Sequence, residues 1–135
     1  MDASFLNLGF TIDGLLHLSP RQAYECCLEG ATLIDIREDY EIAIKDFEIK
    51  GKLFCPFTSF EKVYRTLPKD RPLILVDCVG LHSKQAVRML LENGYTMVAN
   101  MAGGIVDWER DGLPIKKDIE IMGGQCPCQI KSRPA

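Results

Sequence analysis

No apolar run in this chain approaches the roughly 20 residues that a helix needs to cross a bilayer. The first ten residues, MDASFLNLGF, lack the basic segment that precedes the apolar stretch of a secretion signal. Clustered positive charge is also missing. Lys and Arg number 16 against 19 Asp and Glu, a net charge of −3, and no basic stripe runs along the chain. Nucleic-acid binding relies on such a stripe to neutralise phosphates, so it is not expected. The expectation is a cytoplasmic protein with no membrane or nucleic-acid partner, no cofactor and no metal site.

What is present describes an ordinary globular chain. The 135 residues are 47% hydrophobic and 26% charged, enough for one domain to bury its own core without disulfides. The six cysteines are Cys26, Cys27, Cys55, Cys78, Cys126 and Cys128. Two of the pairs are too close in sequence to staple distant elements, and no secretion signal is expected, so reduced thiols are expected.

Residues 1–15 show no clear period, and the short apolar stretch LLHL leads into Ser19-Pro20. Serine at the N-cap and proline at the first helical position start a helix over 20–28, which Gly30 stops. ATLIDI is short and β-branched, as a buried strand is. EDYEIAIKDF reads as a short helix and KLFCPF as a short strand ended by Pro56. TSFEKVYRTLPKD reads as a helix capped by Thr58 or Ser59, with Glu61 three residues after Thr58 to complete a capping box. PLILVD is apolar up to its last residue, so it should be a central strand covered on both faces. SKQAVRMLLENG carries an apolar stripe of Ala86, Val87, Leu90 and Leu91 and closes at Gly94. TMVAN is a further strand, Gly103-Gly104 a turn, IVDWERDG a short helix, and LPI leaves the core.

Strands alternating with helices imply an α/β fold with a mostly parallel sheet. Ligands in such folds bind beyond the carboxyl ends of the strands. The loop of residues 77–83, which follows the most buried strand, is therefore the leading site candidate. A helix that opens directly after a strand presents free N–H groups and the positive end of its dipole. Successive amides in a tight loop form a nest for an anion, and Gly80 permits the curvature. A cysteine in such a place is held as thiolate, its pKa lowered from about 8.5 to roughly 3.5–7.5. The loop opens with Asp77-Cys78, which leaves open which of the two does the work.

Several pieces of sequence now share one pattern: LIDIRE, then EIKGKLFCP, then the loop with Gly80 and Ser83, then GGIVDWERDGLPI. In these pieces residues 33–115 resemble a rhodanese, a thiosulfate sulfurtransferase-like domain. The resemblance implies a three-layer α/β sandwich, a five-stranded, mostly parallel sheet with helices on both faces. Residues 1–18 would be an N-terminal extension and first strand, 19–115 the rhodanese-like domain, and 116–135 a tail with Cys-Pro-Cys. It also implies a setting in sulfur metabolism and a small sulfur-containing anion or a protein as partner. Rhodaneses usually begin this loop with a persulfide-carrying cysteine, three residues before a glycine. Counting back from Gly80 puts Asp77 at that position, and His82 where arginine or a small hydroxyl residue is common.

An aspartate there would fill the anion-binding loop of Val79, Gly80, Leu81, His82 and Ser83 with its own charge. It would repel thiosulfate and has no sulfur to load. The resemblance then implies a catalytically silent, atypical member that acts as a binding or regulatory module. The alternative is a loop one residue shorter that starts at Cys78, with His82 stabilising a thiolate or persulfide. Cys78 would then be the nucleophile of a sulfurtransferase or persulfide carrier, and Cys126 and Cys128 a redox or sulfur relay.

Asp35 and Arg37 lie at the same sheet edge, where the resemblance implies that they brace the site. Glu48 and Lys50 stand where the family commonly has histidine and proline. Cys26 and Cys27 point about 100° apart on their helix, so one should pack in the core. Cys55, His17 and Trp108 are expected to be structural. A tyrosine-phosphatase reading would need an arginine six residues beyond Cys78, and Lys84 there is a poor bidentate clamp.

Overall fold

The computed structural model describes Phe5 and residues 7–118. It opens with a hairpin, β1 (Phe10–Ile12) and β2 (Leu15–Leu18), in which Ile12 faces Leu15. Asp13 and Gly14 between them both have positive φ, 53° and 80°, as a two-residue hairpin turn of matching twist requires. Helix α1 (Pro20–Leu28) begins as expected. The Ser19 hydroxyl accepts the Gln22 N–H at 3.1 Å, and the Gln22 side chain accepts the Ser19 N–H at 3.0 Å. There follow β3 (Thr32–Asp35), α2 (Asp39–Ile44), β4 (Lys45–Phe47) and β5 (Leu53–Phe54). Helix α3 (Phe60–Val63) is flanked by 3-10 turns at Phe57–Ser59 and Tyr64–Thr66. The remaining elements are β6 (Leu73–Val76), α4 (His82–Glu92), β7 (Val98–Met101), α5 (Gly104–Arg110) and β8 (Ile115–Lys117).

The main sheet runs β1-β2-β7-β6-β3-β5. The five strands from β2 to β5 in that order are parallel, and β1 adds an antiparallel edge. All four residues of β6 are buried. Leu73 and Leu75 pack with Phe60, Tyr64 and the α4 stripe of Ala86, Val87 and Leu90. Ile74 and Val76 turn the other way, toward Ala23 and Cys26 of α1 and Ile105 and Trp108 of α5. This alternation splits the core into two layers around one sheet, so helices cover both faces. Trp108 is fully buried, meets Tyr24 and Phe47 edge-on, and donates its indole N–H to the Pro114 carbonyl at 2.8 Å. Among the described residues no helix is long and apolar enough to cross a membrane.

Three local expectations are corrected. The helix over EDYEIAIKDF ends at Ile44, and Lys45–Phe47 becomes strand β4, paired antiparallel with β8 in a second sheet. Its partner β8 opens at Ile115 of LPI and runs to Lys117, at the start of the tail. Tertiary packing overrides local pattern here: Lys45 is buried and ion-paired to Glu109, and Phe47 abuts Trp108. The capping box at Thr58 does not form, because the Thr58 hydroxyl points to the Glu38 carboxylate at 3.1 Å. Ser59 provides no side-chain cap either, and one long helix is replaced by short helical turns.

Candidate functional site

Strand β6 delivers the chain into the loop at Asp77, which is buried. One carboxylate oxygen, Oδ1, accepts the N–H of Gly80. The other, Oδ2, accepts the N–H groups of His82 at 2.8 Å and Ser83 at 3.2 Å. Helix α4 begins at His82, and Leu81 at its N-cap offers no side-chain acceptor. Asp77 therefore supplies the cap from upstream, placing a carboxylate at the positive end of the helix. Gly80 takes φ of +90°, and a Cβ there would lie 3.1 Å from the Gly103 nitrogen.

The loop rests on the start of α5. Ile105 donates its N–H to the Asp77 carbonyl at 3.0 Å and Val106 to the Cys78 carbonyl at 3.2 Å. Gly104 makes this approach possible. Its φ is +60°, and a Cβ on it would collide with both carbonyls. The Gly103-Gly104 pair, read as a turn, is thus also the seat of the loop.

Ser83 was expected to open α4; the helix starts one residue earlier, and the Ser83 hydroxyl instead donates to Asn100 Oδ1 on β7. That leaves the Asn100 amide nitrogen to donate to His17 Nδ1 at 3.0 Å, in keeping with the His17–Asn100 pairing of β2 and β7. The bond assigns the His17 proton to Nε2. Burial, aided by nearby Lys84, lowers the His17 pKa, so the ring is neutral at pH 7. Asn100 went unnoticed in the sequence; its signal was a polar amide within a buried strand.

A cavity of about 370 Å³ opens on the loop. Asp77, Cys78, Arg37, Glu38, Phe57 and His82 line it, with Tyr40, Val79 and Leu81 at its rim. The His82 ring lies flat on Phe57, centroids 4.6 Å apart. Arg37 lines the cavity, and each of its three guanidinium nitrogens is engaged on the protein. Nε and Nη2 bind the Asp35 carboxylate at 3.1 and 2.9 Å, and Nη1 binds the Lys45 carbonyl at 2.9 Å. Asp35 and Arg37 so lock the adjoining strand end. Glu48 and Lys50 line a separate surface hollow with Lys52 and Lys116.

Cys26, Cys27 and Cys55 are free thiols. Burial pushes Cys27 up to about 12 and Cys55 up to about 11, and raises Cys26, so none is a thiolate at neutral pH. The expectation of reduced thiols fails at Cys78, which is disulfide-bonded. Its half-buried position at the cavity leaves it within reach of oxidation, unlike the buried Cys26 and Cys55. Cys126 and Cys128 lie outside the described residues. Among the described residues no group of three or more His, Cys, Asp or Glu side chains is placed to hold a metal ion.

Comparison with known proteins agrees with this architecture. The family model described as "Rhodanese-like domain" matches residues 19–111, so the chain belongs to the rhodanese-like family. It is 34% identical over 98 residues to thiosulfate sulfurtransferase GlpE of Haemophilus influenzae, covering 73% of this chain and 91% of that one. It is 38% identical over 87 residues to a sulfurtransferase of Allochromatium vinosum, covering 64% of this chain and 79% of that one. Among solved structures, the polysulfide-sulfur transferase homodimer of Wolinella succinogenes superposes with TM-score 0.69 at 25% identity, over 77% of this chain and 80% of that one. A rhodanese-related protein of Thermoplasma volcanium superposes with TM-score 0.68 at 22% identity, over 76% of this chain and 98% of that one.

Proposed function

We propose that this rhodanese-like domain, related to sulfurtransferases, is a binding module in which Asp77 takes the place of the sulfur-carrying cysteine. One observation carries the reading: the Asp77 carboxylate uses the N–H groups of Gly80, His82 and Ser83. Those amides would otherwise steady an incoming anion or a persulfide. With the cradle filled from within, recognition falls to the cavity rim, where Tyr40 is 61% exposed, Val79 48% and Leu81 60%. Exposed apolar side chains around a cleft suit a protein partner.

A second reading is favoured by Cys78, which lines the same cavity and is disulfide-bonded. Once reduced, its thiolate would attack the outer sulfur of thiosulfate, break the S–S bond, and leave a Cys78 persulfide and free sulfite. Cys126 or Cys128 would then take that sulfur onward.

Intact-mass spectrometry separates the two. The protein is reduced with dithiothreitol, freed of reductant and incubated with thiosulfate. The binding-module reading expects an unchanged mass. A gain of one sulfur atom that disappears in Cys78→Ala would overturn it in favour of transfer through Cys78. A gain that disappears only in Cys126→Ala or Cys128→Ala would overturn it in favour of the tail pair.

A further inference from the structure

A second groove of about 560 Å³ lies beside the loop cavity, between the β1–β2 hairpin and the first turns of α4. The two share Leu81 and His82. Their charges differ. Glu38 and Glu41 border the loop cavity, whereas Lys84 and Arg88 border the groove, with Asp13 as its single acid. Lys84 and Arg88 are four residues apart on α4, so they share a face. Both are exposed, and among the described residues neither is ion-paired to an acid. Exposed Ile12 and Leu81 add apolar surface to the same walls. Neutral, buried His17 contributes no positive charge there.

We propose that this groove docks an acidic segment of a partner protein, one that also carries an apolar residue to cover Ile12 and Leu81. The partner would then be held with its chain running toward the loop cavity. This rests on the reading of the domain as a protein-binding module. A small inorganic anion fits the groove less well. Two exposed cations hold one anion weakly in salt solution, whereas a segment with several acids and an apolar anchor sums many small contributions.

Fluorescence anisotropy of a short labelled peptide of alternating glutamate and leucine tests this on the full chain. Saturable binding is expected, weakened by added sodium chloride and about tenfold weaker in the Lys84→Glu/Arg88→Glu double variant. A Lys62→Glu/Arg71→Glu variant changes net charge equally at other exposed sites and should bind as the native chain does. Circular dichroism verifies that both variants are folded. Absence of saturable binding, or equal loss in both variants, would overturn the proposal. So would self-association in sedimentation that the Lys84→Glu/Arg88→Glu change abolishes, since a second copy would then fill the groove. Sulfur uptake in the mass experiment would defeat the silent-loop reading without altering these binding results, so the two failures are distinguishable.

Discussion

Asp77→Ala is expected to cost about 3 kcal/mol of stability and to lower the melting temperature by about 10 °C, although the residue sits at a cavity. The carboxylate accepts three backbone N–H groups. Hydrogen bonds to a charged group contribute roughly 1.5–3 kcal/mol each, and an unmet buried donor costs about 1–3 kcal/mol. The full sum is not reached, because water from the cavity can satisfy some of the freed amides. The helix cap is lost as well, since Leu81 has nothing to replace it. Asp77→Asn keeps one acceptor oxygen and should lose about half as much. Thermal melts followed by circular dichroism measure both. A loss under about 1 kcal/mol for the alanine variant would mean that the side chain does not hold the loop together.

Gly104→Ala should be of similar size, about 3–4 kcal/mol, for a different reason. At φ of +60° any other residue is strained, and the new methyl would collide with the carbonyls of Asp77 and Cys78. Helix α5 must then retreat, giving up the Ile105 and Val106 hydrogen bonds to those carbonyls. The loop would loosen from below while Asp77 remains intact. Urea denaturation should show a lower midpoint at an unchanged slope, and the Gly80 and His82 amides should exchange faster with solvent. A variant as stable as the native chain, with unaltered exchange, would contradict this role for the α5 start.

The parallel core was legible because its signals are local. PLILV is apolar without interruption, Ser19-Pro20 marks a helix start, and strand alternates with helix along the chain. The candidate site's location was legible in the place of residues 77–83, beyond the carboxyl end of the most buried strand. The β1–β2 hairpin was not legible: residues 1–15 lack a clear period, and its one local signal is Asp13-Gly14 at the turn. Strand β4 was not legible either, since it is defined by β8 and by Glu109 and Trp108 from distant segments, whereas the tail from Lys116 is open to reading as an appended strand. At the site, Asp77 and Gly80 stood out. The cap that Asp77 places on α4, the seat at Gly104 and the Ser83–Asn100–His17 line all join separate elements, and no single stretch records them.

Placing a sulfur where the Asp77 carboxylate sits is the most direct test of the proposed binding-module reading. The double variant Asp77→Cys/Cys78→Ala places a lone loop thiol at the focus of the Gly80, His82 and Ser83 amides. Reduced and then given thiosulfate, it should gain one sulfur atom by intact-mass spectrometry, while the native chain treated alike gains none. A native chain that takes up the sulfur while the variant stays unchanged would show that residue 77 is not the position the loop serves.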